Sequence, residues 1–172
     1  MTEKQVMEIL GLKPLPEEGG YYREVYRSRI AIPADSVGLD GGTRNMSTAI
    51  YYMLTPNSFS VLHRVKSDEV YHFYSGDPAE MIQISTNGLL KKYVLGCDLS
   101  AGQSPLIVVP SGTWQGMRLR AGGSWSLMGT TVSPGFEFQD FEAGDRDRLL
   151  LEFPKLATEI MRFTRGPNEA SH

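Results

Sequence analysis

The sequence predicts an all-β fold, a sandwich or barrel of antiparallel strands with short helices only near the two ends of the chain. Short apolar or alternating segments recur along its middle, and turn signals such as Asn87-Gly88 separate them. The 18 glycines and 10 prolines are spread along the chain, with no linker, internal repeat or low-complexity tract. Since 172 residues with 41% hydrophobic side chains can bury a core of their own, we expect one domain over 1–172.

The first residues, 1–11, predict a short amphipathic helix. Thr2 can cap its first turn, and Gly11 can end it. The apolar residues between them recur at helical spacing: Val6, Ile9 and Leu10.

The middle of the chain, 21–141, shows the periodicity of strands. The predicted strands are 21–29, 47–54, 59–65, 69–74, 80–85, 90–94, 106–109, 114–119 and 124–132. Segment 32–44 contains one proline and three glycines, which is typical of a long loop. The segment 145–163 has a helical pattern, in which Pro154 breaks one helix or starts a second, and 164–172 is predicted to be a tail.

Composition and charge exclude several classes of protein. With 17 basic and 20 acidic residues the formal net charge is −3, so we expect no nucleic-acid partner and no attraction to anionic lipid. No apolar stretch is long enough to span a membrane and the first residues lack the apolar core of a signal peptide, so we expect a cytoplasmic protein. Cys97 is the only cysteine, which excludes an intramolecular disulfide and cysteine-rich zinc sites.

Two ionisable residues fall where the pattern predicts the interior. His63 alternates with apolar residues on one face of its strand: Phe59, Val61 and Val65. Glu69 begins the next strand after a three-residue turn, so the two side chains are expected to meet as antiparallel partners about 5 Å apart. A buried acid needs a partner or a wet cavity. The pair is therefore either a structural hydrogen bond or part of a ligand site.

The segment from His63 to Gly76 resembles the first sequence motif of the cupin superfamily. His63 corresponds to the first histidine of that motif, Glu69 to its glutamate and Gly76 to its closing glycine. Val65 replaces the second histidine.

A second segment, 110–119, resembles the second cupin motif, with Gln115 in place of its histidine and Leu119 in place of its asparagine. Four further blocks are more specific and are similar to a small cupin group of unknown function: 18–24, 47–52, 68–78 and 134–136. The resemblance implies a double-stranded β-helix, or jelly roll, that is often dimeric, and it implies no defined reaction. The tyrosine-rich segment 21–26 suits a strand between subunits, so we expect a homodimer.

Typical cupins hold a metal with three histidines and a glutamate, and this sequence retains only part of that set. Val65 cannot bind a metal, and Gln115 offers a neutral amide oxygen, a poor ligand for zinc or iron. We therefore expect no cofactor, and a divalent metal, if bound, would use His63, Glu69 and Gln115. His72 lies three residues from Glu69 and is expected to point to the opposite face.

Without a metal, His63 could act as a general base, held in one tautomer by Glu69. Tyr71 shares the predicted face of Glu69, so it either donates a proton to the ligand or fills the core as an ordinary aromatic residue. Some sugar-nucleotide epimerases of the cupin fold use a histidine base and a tyrosine acid without metal. That similarity concerns the fold, and a fold alone does not fix a function.

Two more residues are candidates for ligand binding. Arg23 is predicted to share a strand face with Arg27 and Arg29, whereas Glu24 falls on the other face. If the arginine face is interior, its guanidinium groups would bind an anionic ligand. Trp114 could stack on a sugar or a base. The alternatives are a solvated outer face for the arginines and core packing for the tryptophan.

The leading functional hypothesis is a single-domain cupin that binds a small molecule, namely a sugar, a nucleotide-sugar or a small organic acid. His63, Glu69 and Gln115 are expected at its site. The alternatives are a metal-free epimerase or isomerase with His63 as the base, a weakly metal-dependent enzyme, and a structural or interaction protein without a ligand.

Overall fold

Two antiparallel β-sheets pack face to face in the computed structural model, which describes residues 1–166. The strands are β1 (Lys13–Pro14), β2 (Tyr21–Arg27), β3 (Ala31–Pro33), β4 (Thr43–Asn45), β5 (Thr48–Leu54), β6 (Phe59–Val65), β7 (Asp68–Gly76), β8 (Ala79–Ile84), β9 (Leu90–Leu95), β10 (Leu106–Val109), β11 (Trp114–Leu119), β12 (Ser126–Ser133) and β13 (Phe141–Ala143). The α-helices are α1 (Glu3–Leu10), α2 (Arg146–Glu152) and α3 (Ala157–Phe163).

The topology puts consecutive strands of the chain into opposite sheets at several points. The six-stranded sheet has the order β1-β2-β5-β12-β7-β10, and the five-stranded sheet has the order β13-β6-β11-β8-β9. Strands β3 and β4 form a separate two-stranded sheet. The predicted all-β jelly-roll class, with short helices near the two ends, is confirmed.

The first helix forms as predicted because both of its ends are capped. Thr2 Oγ1 accepts a hydrogen bond from the Gln5 backbone N–H at 3.3 Å, and Gln5 Oε1 accepts one from the Thr2 N–H at 2.9 Å. Gly11 ends the helix with a φ of 61°, a left-handed conformation that glycine adopts without strain. Val6 anchors the helix as a buried side chain.

Two apolar cores stabilise the sandwich. The first lies between the sheets and contains Tyr52, Leu54, Tyr71, Ala79, Met81, Leu95, Ile107, Val109, Met117 and Met128. The second packs α2 and α3 onto the outer face of the five-stranded sheet and contains Leu62, Ile82, Ile84, Trp114, Leu149, Phe153, Ile160 and Phe163. Side chains of β11 alternate between the two cores, so Trp114 faces the helices while its neighbour Gln115 faces the other sheet.

A β-bulge in β2 reverses the side-chain alternation that the sequence predicts there. The register of β2 against β5 shifts between Glu24 and Tyr26, which leaves Val25 as the extra residue. Arg27 consequently shares the inward face with Glu24, and both line the space between the sheets. The prediction that Arg27 and Glu24 face opposite ways is therefore wrong, because it assumed a regular strand.

A second bulge, in β6, has the same effect on the predicted face of His63. Gln115 lies opposite His63, but Met117, two residues later, lies opposite Ser60, three residues earlier. The extra residue makes Ser60 and His63 both face the interior. Phe59, predicted to share the inward face, instead lies beside Arg118 on the outer side of the sheet.

Other segments differ in detail from the prediction. Segment 32–44, predicted as a loop, contains parts of β3 and β4, and a buried ion pair between Arg44 and Asp140 at 3.2 Å ties it to the rest of the fold. Thr164, in the predicted tail, is buried and donates a hydrogen bond to the Ile160 carbonyl. Residues 167–172 of that tail lie outside the described residues. Within 1–166, no helix has the length and apolar character needed to cross a membrane.

Candidate functional site

A cavity of about 150 Å³ lies between the two sheets. Its most buried ionisable lining groups are Glu18, His63 and Glu69. The surrounding wall is largely apolar and aromatic, and it includes Leu15, Tyr22, Ile50, Val132, Phe136 and Phe141. An apolar wall with a few convergent polar groups is typical of small-molecule sites.

His63 lies on the cavity wall, only 1% exposed, and the bulge in β6 fixes its ring. Its Nδ1 lies 2.8 Å from the carbonyl oxygen of Val61, and its ring stacks on Phe141 with centroids 5.2 Å apart. Since a carbonyl only accepts hydrogen bonds, Nδ1 carries the proton, and the lone pair of the neutral ring is on Nε2. The Val61 carbonyl, rather than Glu69, therefore sets the tautomer.

Glu69 reaches the cavity from the opposite sheet. His63 belongs to β6 of the five-stranded sheet and Glu69 to β7 of the six-stranded sheet, so they approach across the sandwich and not as neighbouring strands. Gln115 Nε2 donates a hydrogen bond to Glu69 Oε2 at 2.7 Å. Burial, and after it the nearby Glu18 carboxylate, raises the pKa of Glu69, which therefore keeps its proton to a higher pH than an exposed glutamate.

Glu18 is a site residue that the sequence prediction did not select. It lies in the loop before β2, and its Oε2 is 3.9 Å from His63 Nε2. Ser60 Oγ donates a hydrogen bond to Glu18 Oε1 at 3.0 Å, and the Val61 N–H donates one to the Glu18 carbonyl at the same distance. The glycine that follows Glu18 is the one signal in the sequence. A Cβ at Gly19 would collide with the Phe59 carbonyl oxygen, so glycine is needed where this loop approaches β6.

Two buried tyrosines pack beside these carboxylates. Tyr52 and Tyr71 are each 1% exposed, and Tyr52 Oη donates a hydrogen bond to the Gly19 carbonyl at 2.9 Å. Burial is the main cause that raises the pKa of both tyrosines well above its ordinary value, so both stay protonated. Tyr71 packs in the inner core next to Glu69 and is not among the described residues that line the cavity.

Arg27 lies at the mouth of the cavity and is fully engaged by protein acceptors. Its guanidinium forms ion pairs with Glu24 at 2.8 Å and with Glu137 at 2.7 Å. It also donates a hydrogen bond to Asn45 Oδ1 at 2.9 Å. These contacts tie β2 to the loop that follows β12, and they leave Arg27 electrically compensated.

The structure does not bring three other candidate residues to the cavity. Arg23 extends over the ring of Tyr51, with its guanidinium carbon 5.5 Å from the ring centroid. Trp114 is buried in the outer core between the sheet and the helices. His72 points away from Glu69, as its spacing predicts, and its Nε2 lies 3.5 Å from Thr131 Oγ1.

The fold and the sequence both have known relatives. The family described as "Cupin superfamily (DUF985)" matches residues 4–144 of the chain. The chain belongs to the cupin superfamily. An uncharacterised protein of Saccharomyces cerevisiae, YML079W, is 29% identical to this cupin over 155 residues, which is 83% of this chain and 77% of the yeast protein.

Two solved structures are similar to this cupin over nearly their whole length. A hypothetical protein from Leishmania major superposes with a TM-score of 0.89 at 30% identity and covers 96% of this chain and 100% of its own. Protein SO0799 from Shewanella oneidensis superposes with a TM-score of 0.86 at 33% identity and covers 96% of this chain and 98% of its own.

Metal binding by other cupins makes the ligand set of this cupin worth testing. Bacillus subtilis oxalate decarboxylase, a protein with Mn(II) centres, shares the fold with a TM-score of 0.53 at 17% identity, over 88% of this chain and 37% of its own. Within residues 1–166 of this cupin, no group of three or more His, Cys, Asp or Glu side chains is arranged to hold a metal. The amide of Gln115 directs its NH2 group toward Glu69, and an NH2 donor cannot bind a metal. The residues present therefore do not fit the typical cupin metal set.

Proposed function

We propose that this cupin binds a small, hydroxyl-bearing molecule of about the size of a monosaccharide in the cavity between its sheets. The observation that carries the proposal is His63, which lines the cavity and whose Nε2 has, within residues 1–166, no hydrogen-bonding neighbour closer than the Glu18 carboxylate at 3.9 Å. A ring nitrogen at a largely apolar wall is more stable when a hydrogen-bonding partner reaches it. A ligand hydroxyl would provide that partner.

The size and charge of the cavity favour some ligand classes over others. A volume of about 150 Å³ is smaller than the roughly 300 Å³ at which pockets for drug-sized molecules begin, so a whole nucleotide-sugar exceeds it. The Glu18 carboxylate, and Glu69 whenever it is ionised, disfavour a small organic acid, whose own carboxylate would be repelled. A sugar is therefore the best fit among the three ligand classes considered from the sequence.

Proton transfer is a second candidate function, and it is favoured by the tautomer of His63. Nε2 can take a proton from a carbon next to a ligand carbonyl, while the released electron pair moves to the carbonyl oxygen as an enolate. Glu69, whose raised pKa lets it hold a proton, can return one from the opposite sheet. His63 and Glu69 then exchange protons with water. This is the sequence of steps of an isomerase or epimerase, and Tyr71 would act by positioning Glu69.

Binding is tested by isothermal titration calorimetry and thermal unfolding with neutral aldohexoses and ketohexoses. We expect at least one of these sugars to stabilise the protein, and we expect His63→Asn to abolish the effect. His72→Asn is the matched control, because His72 faces away from the cavity. If every sugar leaves both the heat signal and the unfolding temperature unchanged, the cavity is not a sugar site.

Proton transfer is tested separately by incubating the same sugars with the protein in D2O. NMR would follow the replacement of the C–H proton next to the carbonyl by deuterium. We expect exchange with the wild-type protein and none with His63→Asn. Binding without exchange would retain the binding function and reject the isomerase.

A further inference from the structure

We propose that the cavity selects a ligand that carries a positive charge, an amine-bearing small molecule such as an amino sugar, over its neutral and anionic analogues. The inference rests on the proposed function, because it concerns the same cavity. It adds the charge of the ligand, which follows from the charges, the hydrogen-bond acceptors and the aromatic rings around the cavity.

The charged side chains that line the cavity are mostly acidic. Five glutamates line it: Glu17, Glu18, Glu24, Glu69 and Glu137. The basic lining groups are Arg27 and, when protonated, His63. Because Arg27 is paired with Glu24 and Glu137, it compensates neither the half-buried Glu18 carboxylate nor the buried Glu69 when that group is ionised. An ammonium group would compensate them, whereas an anion would add like charge in a region where screening by water is weak.

Hydrogen bonding around the acidic groups of the site also leaves acceptors over. Three neighbouring donors are already used, since the His63 Nδ1 proton goes to Val61, the Ser60 hydroxyl to Glu18, and the Gln115 NH2 to Glu69. Two acceptors remain on lining residues: His63 Nε2, which makes no hydrogen bond within residues 1–166, and Glu18 Oε2, which lies 3.9 Å from it. Gln115 Oε1 has no partner among the same residues, but Gln115 does not line the cavity. An ammonium group offers three donors and no acceptor, which is the complement of this set.

The apolar part of the wall suits a cation as well. Four aromatic rings contribute to it: Tyr22, Phe136, Phe138 and Phe141. Phe136 and Phe138 pack edge to face with centroids 5.2 Å apart. Ring faces attract cations through their quadrupoles, and they bury the carbon skeleton of a small ligand at the same time. Carboxylates and aromatic rings lining one cavity are a combination that recognises an organic ammonium.

The proposal is tested with two sets of ligands matched in shape and different in charge. The larger set is glucosamine, glucose and glucuronate, and the smaller set is ethanolamine, ethylene glycol and glycolate. Affinity is measured by titration calorimetry at pH 7.5 in low salt. We expect the amine to bind at least about tenfold more tightly than the neutral member of its set, since charge-assisted hydrogen bonds are roughly twice as strong as neutral ones. The anionic member should show no binding.

Charge at Glu18 is then removed without changing the shape of its side chain. Glu18→Gln keeps an oxygen for the Ser60 hydroxyl, and we expect it to weaken amine binding about tenfold and to leave binding of the neutral member nearly unchanged. Glu152→Gln removes the same charge from the exposed surface of α2 and serves as the control, with unchanged affinities expected.

Each outcome separates the proposal from the function on which it rests. Equal affinities within a set, or tighter binding of the neutral or anionic member, would overturn the selection of a cation and leave the small-molecule site standing. Equal losses in Glu18→Gln and Glu152→Gln would overturn it too. If no member of either set binds at 50 mM, roughly the weak end of specific recognition, the proposed function itself is rejected.

Discussion

Replacing His63 with alanine and with asparagine should give two clearly different losses of stability. Alanine removes the Nδ1 donor and leaves the buried Val61 carbonyl without its hydrogen bond, which costs about 1–3 kcal/mol. It also removes the stacking on Phe141, a further roughly 0.5–1.5 kcal/mol. Asparagine loses the stacking, but its side-chain NH2 can occupy the position of Nδ1 and keep the bond to Val61. We therefore expect losses of roughly 2–4 kcal/mol for alanine and roughly 0.5–1.5 kcal/mol for asparagine.

The free energy of unfolding is measured for both variants by urea denaturation, with His72→Asn as the control for a histidine outside the cavity. The comparison isolates the bond that fixes the tautomer of His63. If alanine and asparagine destabilise the protein equally, the hydrogen bond from Nδ1 to Val61 contributes nothing to stability. The assignment of the proton to Nδ1 and of the lone pair to Nε2 is then refuted.

Three further predictions concern charge, metal and assembly. Burial raises the pKa of Glu69, so its contribution to stability is present at low pH. That contribution is lost as the pH rises above about 4.3, the usual glutamate value, and through the folded-state pKa of Glu69. Glu69→Gln should remove this loss, and an identical pH profile of stability for the variant would contradict the prediction. Protein purified without chelators should carry far less than one equivalent of metal by elemental analysis, since Val65 and Gln115 replace two typical ligands; one equivalent surviving dialysis would refute this. We expect a homodimer by light scattering, because Val25 and Tyr26 leave apolar surface exposed on β2, and a monomer mass at micromolar concentration would count against it.

Much of the fold could be predicted because short segments of the sequence determine the turns that end its strands. Asn87-Gly88 predicts the turn between β8 and β9, and the observed strands start and end within a few residues of the predicted ones. The pairing of the small sheet, β3 with β4, could not be predicted in the same way. Its stability depends partly on the Arg44–Asp140 pair, whose members are 96 residues apart in the chain.

The site was harder to predict than the fold, because two bulges and one loop build it. Strict alternation along β6 gives Phe59 an inward position and Ser60 an outward one, and one extra residue reverses both. Glu18 meets Ser60 only through a contact across 42 residues of sequence, which no local pattern contains. His63 and Glu69, which line the cavity, and Gln115, which contacts Glu69, could be predicted because all three fall in segments that resemble the cupin motifs.

The most direct test of the ligand site is the protonation state of the His63 ring, measured by long-range ¹H–¹⁵N NMR. The protein has three histidines, so His72 and His172 provide internal references. We predict that His63 is in the Nδ1–H tautomer in the free protein, and that glucosamine shifts its Nε2 resonance while that of His72 stays in place. A proton on Nε2 in the free protein, or an Nε2 resonance that no sugar or amine moves, would contradict the account.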